Sequence, residues 1–135
     1  MKTLFIAFIM LASSASFASG FQCSGMGYKA MLYNQVQPSQ GTSNPAVLIL
    51  SYDEKGTLVK LDGSDIEKQF TQEAYMYAGA TALQDSGEPA TVSFSVSKTL
   101  EDSGQRYAEF TVTTSKYAYT VKLDCDDYRK NNPQE

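Results

Sequence analysis

Cys23 and Cys125 are the two cysteines of the chain, and they stand almost a whole domain apart. They follow an N-terminal leader made of Lys2, an apolar run from Leu4 to Leu11, and the small-residue stretch Ala12 to Ala18. That order is the pattern of a secretory signal peptide. Its apolar core is about eight residues, against the ~20 a bilayer-spanning helix needs, so the leader is expected to be removed rather than to anchor the protein. Ser16 and Ala18 provide the small side chains for cleavage after Ala18, with Ala15 a second choice. Gly20-Phe21-Gln22 is not the small-residue box that precedes a lipidated cysteine, so no membrane anchor is expected at Cys23. In an oxidising compartment two distant thiols form one bridge with one possible connectivity. Closing a loop of about a hundred residues stabilises by roughly 4 to 5 kcal/mol in the chain-entropy model. The bridge also holds its two Cα atoms about 5.5 Å apart, so the beginning and end of the domain must meet.

The expected organisation is a signal peptide over 1–18, one β domain over 19–125, and a flexible charged tail over 126–135. The mature length of about 117 residues suits a single core. Met26 to Val36 alternates Tyr28, Ala30, Leu32 and Val36 against Lys29, Met31, Tyr33 and Gln35, which predicts a long, half-buried first strand. Gln37 to Pro45 reads as the longest loop. Ala46 to Tyr52 and Thr57 to Leu61 form a hairpin around Asp53-Glu54-Lys55-Gly56. Ile66 to Phe70 is either a helical turn or a short edge strand. Glu73 to Leu83 alternates with period two, and Val92, Phe94 and Val96 point inward while Ser93, Ser95 and Ser97 point outward. Arg106 to Thr114 and the run through Tyr117, Tyr119, Val121 and Leu123 complete the series.

The fold class is therefore all-β, a single antiparallel meander of about 7–8 strands, with a small barrel preferred to a sandwich. If Cys23 begins the first strand and Cys125 ends the last, those strands close a barrel only when their number is even. Seven strands break that parity. Either Ile66 to Phe70 is an eighth strand, or the long first strand bends into two, or the fold is a sandwich whose ends meet without closure.

Histidine is absent from the chain, which removes the usual neutral-pH general base, His-dependent triads and imidazole metal sites. Both cysteines belong to the bridge, which removes thiolate nucleophiles and zinc–thiolate sites. Gly25-Met26-Gly27 precedes a strand and lacks a third glycine in register, so it is no dinucleotide loop. Lys29, Lys55, Lys60, Lys98 and Lys122 are spaced singly, which argues against nucleic acid. The formal charge of -4 becomes -5 when Lys2 leaves with the signal. Mild acidity keeps a protein soluble and also suits a basic partner.

Carboxylates remain. Asp62 and Asp65 read as turn residues, and Asp124, Asp126 and Asp127 as a solvated strand end without the ligand spacing of a calcium loop. A carboxylate-dependent hydrolase would need two acids about 5 to 9 Å apart across a cleft. Tyr75 with Tyr77, and Tyr117 with Tyr119, place two rings about 7 Å apart on one strand face. Each pair either packs cross-strand or offers a stacking platform for a sugar or a protein partner. No cofactor and no metal are expected.

Ser103-Gly104-Gln105-Arg106-Tyr107 resembles the Ser-Gly-x-x-Tyr motif of the periplasmic C-type lysozyme inhibitors. Positions around it agree: Phe21-Gln22-Cys23 opens the first strand, Lys116 follows in the next hairpin, and Cys125 lies near the C-terminus. The resemblance implies a small disulfide-bridged barrel with a partner-binding set of Ser103, Gly104, Tyr107 and Lys116. Ser103 and Lys116 would enter the lysozyme cleft, the lysine meeting the enzyme's catalytic carboxylates, and Tyr107 would support the loop. On the residues alone, Ser103-Gly104 is a hairpin turn and Tyr107 a core residue.

The expectation is an exported, non-enzymatic, monomeric β domain, periplasmic or secreted, that acts by binding a basic protein or a small ligand. Inhibition of a C-type lysozyme is its specific version. A carboxylate-dependent hydrolase and a purely structural envelope protein are the alternatives.

Overall fold

The computed structural model describes residues 17–37 and 42–129, so most of the expected signal peptide and the end of the expected tail lie outside the described residues. Nine strands follow in chain order: β1 Phe17–Gly25, β2 Tyr28–Gln37, β3 Thr42–Tyr52, β4 Gly56–Asp62, β5 Glu67–Lys68, β6 Ala74–Ala82, β7 Pro89–Leu100, β8 Arg106–Thr113 and β9 Ala118–Arg129. They build one antiparallel sheet, curled into a half-barrel, in the order β4-β3-β2-β1-β9-β8-β7-β6-β5. Neighbours in the sheet are successive strands except at β1–β9, and the successive strands β4 and β5 are not paired with each other but stand at the two ends of the sheet.

Cys23 and Cys125 are directly opposite in the β1–β9 register and joined, with Cα atoms 3.9 Å apart. Both are buried. The expected pairing of first and last strands therefore holds, but the bridge sits inside the strands. β9 continues past Cys125 to Arg129, with Asp126 opposite Gln22 and Asp127 opposite Phe21. Arg106 clamps this extension, its Nε donating to Asp127 Oδ1 at 2.9 Å and a terminal guanidinium nitrogen to Oδ2 at 3.3 Å. The tail expected from residue 126 is thus ordered sheet for four residues.

Two further boundaries move. The strand expected to start at Met26 is β2, and β1 is a separate strand before it, reaching back to Phe17. Met26 and Gly27 make the turn between them, with φ of 56° and 86°. The expected loop from Gln37 to Pro45 is narrower, because Gln37 pairs with Thr42 and Asn34 with Pro45.

The strand count also resolves the parity problem. The eight pairings that link β4 to β5 around the sheet are all antiparallel, so β4 and β5 run in the same direction. β5 is then the continuation of β4 beyond a single 3-10 turn, Gly63–Asp65. The broken strand pairs with β3 before the turn and with β6 after it. Counted this way the sheet has eight members, an even number. At the seam Gln84 N donates to Leu58 O at 2.9 Å, and Thr81 Oγ1 donates to Lys60 O at 3.0 Å. Gly79 is required here, since a Cβ would overlap the Asp65 carbonyl oxygen and the Leu61 side chain.

The period-two pattern fills the interior. Ala30, Leu32, Leu48, Leu50, Val59, Phe94, Val96, Phe110 and Val112 are completely buried. Phe94 lies opposite Phe110 in the β7–β8 register with ring centroids 5.4 Å apart, and Tyr77 stacks on Phe94 from β6 at 6.2 Å. Ser93 faces solvent between these apolar positions, as the alternation requires.

Candidate functional site

A filled interior leaves the two ends of the roll. At one end, aromatic rings make a plug. Phe70 meets Tyr75 and Tyr77 edge-on at 5.2 and 5.4 Å, and Phe21 lies 5.4 Å from Tyr75. Lys98 Nζ sits 5.2 Å from the Tyr75 ring centre, and the Arg106 guanidinium 5.8 Å from it. The Tyr75–Tyr77 pair therefore serves packing. Burial, with Tyr75 nearby, raises the Tyr77 phenol far above its ordinary value.

The other end is open. The turns after β1, β3, β6 and β8 surround a recess of about 350 Å³ lined by Tyr28, Tyr52, Lys55, Leu58, Leu83, Asp85, Tyr117 and Tyr119. Each side chain is placed by register. Tyr28 and Tyr52 are direct partners at the start of β2 and the end of β3, and their rings lie 4.6 Å apart. The Tyr52 ring packs on Gly27, where a Cβ would come within 3.0 Å of it. Asp53 N donates to Gly27 O at 3.0 Å, which ties the first rim turn to the second. Facing this pair, Tyr117 and Tyr119 stack at 5.9 Å with planes 27° apart. The turn before them is held by Thr114, whose backbone N donates to Tyr117 O at 2.8 Å and whose Oγ1 accepts from Tyr117 N. Leu58 and Leu83 come from the two sides of the seam.

The rim combines opposite charges with polar ring edges. Burial and the neighbouring Tyr28, Tyr117 and Asp85 raise the Tyr119 phenol above its ordinary value, so these groups converge. Among the described residues, the four tyrosine hydroxyls, the Lys55 ammonium and the Asp85 carboxylate make no hydrogen bond or ion pair. The tyrosine rings are held by packing in pairs, and Lys55 and Asp85 are exposed. Asp85 is the single carboxylate lining the recess, whereas glycoside hydrolysis of the usual kind needs two.

The residues singled out by resemblance lie elsewhere and apart. Ser103 and Gly104 occupy the β7–β8 turn, at the plugged end of the sheet. Ser103 Oγ accepts from Gln105 N at 3.3 Å, and Gly104, with φ of 88°, donates its N–H to Glu101 O at 2.9 Å. This is a self-contained hairpin turn. Lys116 lies in the β8–β9 turn, at the open end. The eight residues of β8, roughly 26 Å of strand, separate them. Tyr107 is 37% exposed rather than a core residue, and its hydroxyl donates to Glu109 at 2.8 Å on the outer face. Of the acids, Asp62 precedes the 3-10 turn and Asp65 ends it, Asp127 is engaged by Arg106, and Asp124 lies within hydrogen-bonding reach of Glu101, away from the mouth.

Of the mouth residues, sequence reasoning singled out Tyr117 and Tyr119, whose i, i+2 spacing is local. Tyr28, Tyr52, Lys55 and Asp85 come from three other turns and join them only through the rolled sheet. The usable signal was tyrosine beside a turn at several strand ends. No protein-family model, curated protein or solved structure matches this chain.

Proposed function

We propose that this chain is an exported, non-enzymatic β domain that works by binding, and that the tyrosine-lined mouth is its binding site. The observation that carries the reading is the set of unpartnered polar groups on a rigid rim. Among the described residues, four hydroxyls, one ammonium and one carboxylate have no hydrogen-bond or ion-pair partner, and the apolar Leu58 and Leu83 line the same recess. Small-molecule sites combine an apolar lining with a few placed polar groups in this manner. Rings held by register lose little conformational freedom on binding, which favours affinity. The bridge of Cys23 and Cys125 is consistent with an oxidising compartment and supports a periplasmic or secreted fate. Among the described residues no helix is long and apolar enough to cross a membrane.

The test uses 13C-labelled tyrosine and a panel of small probes: glycine betaine, choline, glucose and cellobiose. A mouth ligand shifts the ring signals of Tyr28, Tyr52, Tyr117 and Tyr119, leaves those of Tyr75 and Tyr77 unmoved, and loses its effect in Tyr117→Ala. Shifts confined to Tyr75 and Tyr77, or an undiminished response in Tyr117→Ala, would place binding elsewhere.

A further inference from the structure

We propose that the mouth takes a small dipolar ion, its ammonium end over Tyr117 and Tyr119 beside Asp85 and its anionic end at Lys55. This assignment rests on the mouth being the binding site, and it follows from the two charges on the rim. Lys55 and Asp85 both line the recess, so a ligand there meets one charge of each sign and displaces part of the water around each. Neither has a described partner to compensate it. A charge that loses water without gaining a counter-charge opposes binding, so a neutral ligand leaves two such charges and a singly charged ligand leaves one. A dipolar ion leaves none.

The arrangement of the rings sets the orientation. Asp85 lines the same recess as the stacked Tyr117–Tyr119 pair, and its negative charge contributes to raising the Tyr119 phenol. Aromatic faces attract cations, and methylated ammonium groups, being weakly hydrated, gain most from such surroundings. Lys55 stands in the β3–β4 turn next to Tyr52, on a different turn from Tyr117 and Tyr119, its backbone N–H donating to Tyr52 O at 3.0 Å. The recess is at the small end of ligand sites, which span about 300–1,000 Å³, and so suits a compact zwitterion.

The experiment is calorimetric titration of the oxidised protein and two variants, Asp85→Asn and Lys55→Gln, with glycine betaine, choline and cellobiose, read beside the tyrosine ring signals. Both altered side chains are exposed, so the variants keep the fold. Glycine betaine is expected to bind at the mouth and to weaken by about tenfold in each variant, the size of one desolvated charge contact. Choline is expected to weaken in Asp85→Asn alone. Betaine affinity indifferent to either substitution would overturn the dipolar assignment, as would cellobiose shifting the mouth tyrosines while betaine does not; in both cases the mouth remains a site. Failure of every probe to move the four mouth tyrosines would overturn the site reading as well.

Discussion

Removing the bridge between Cys23 and Cys125 tests the central pairing of the sheet. The cysteines are 102 positions apart, and a cross-link closing a loop of that size is worth about 4.7 kcal/mol at ~25 °C through the entropy it takes from the unfolded chain. Small domains have total stabilities of about 5–15 kcal/mol, so the bridge supplies a third or more of what holds this one folded. Both sulfurs are buried, so replacing them with alanine also leaves small voids, about 1 kcal/mol each by analogy with loss of a single buried methyl group. Three species separate these effects: oxidised protein, reduced protein, and Cys23→Ala/Cys125→Ala. Reduction forfeits the loop contribution and keeps the packing, whereas the double variant forfeits both. Urea unfolding followed by far-ultraviolet circular dichroism and by tyrosine emission reports all three. With a slope of about 1.5 kcal/mol/M, the reduced protein should unfold about 3 M below the oxidised one. The double variant should fall a further ~1 M, by the same slope applied to the voids. A reduced protein within about 1 kcal/mol of the oxidised form would refute the reasoning, because the β1–β9 pairing would then hold without loop closure.

Three more outcomes follow from particular contacts. Gly79→Ala should destabilise by about 1–3 kcal/mol, because the new methyl must displace the Asp65 carbonyl or the Leu61 side chain; an unchanged urea midpoint would mean that the seam is loose. Desolvation and the adjacent Asp124 raise the Glu101 carboxyl above its ordinary value, so its ionised form weakens the fold at neutral pH, and that loss is relieved as pH falls through the raised value. Glu101→Gln should accordingly raise the melting temperature slightly near pH ~7, with the gain vanishing below about pH 4, and a gain independent of pH would contradict the assignment. For Tyr77 the raised phenol contributes stability that is complete below the ordinary value of about 10 and is lost as pH rises through the raised one. Ultraviolet titration of the folded protein should count the same number of ionising tyrosines in the native chain and in Tyr77→Phe; one fewer in the variant would show that Tyr77 titrates normally.

How much of this was legible follows the range of the interactions involved. The inward faces of β6 to β9 could be read directly, because each rests on a two-residue period that a single buried face imposes on neighbours such as Val92, Phe94 and Val96. The meeting of Cys23 with Cys125 was legible because a covalent bond ignores the intervening chain. β1 was not, since its inward residues are only Phe21 and Cys23 among Gly20, Gln22 and Ser24, and its first two residues resemble the end of a leader. Gly25-Met26-Gly27 held the hairpin signal, but a left-handed Met26 disguises it. Asp126 and Asp127 looked solvated because the partner that orders Asp127, Arg106, lies 21 positions earlier. The mouth was hardest, for Tyr28 and Tyr52 become neighbours through the β2–β3 register, and Asp85 joins Tyr119 only once the sheet has curled.

With β1 beside β9, the first of the described strands to leave the ribosome waits for the last of them. Chain growth at ~5–20 residues per second leaves the open edge of Phe17–Gly25 without its neighbour for at least several seconds, with Phe21 and Cys23 uncovered. Unpaired edges are templates for wrong partners, so this is the interval in which a chaperone would matter most to the nascent chain. Oxidation, too, must be a late event: residue 23 has no correct mate until residue 125 has been made and its strand has docked.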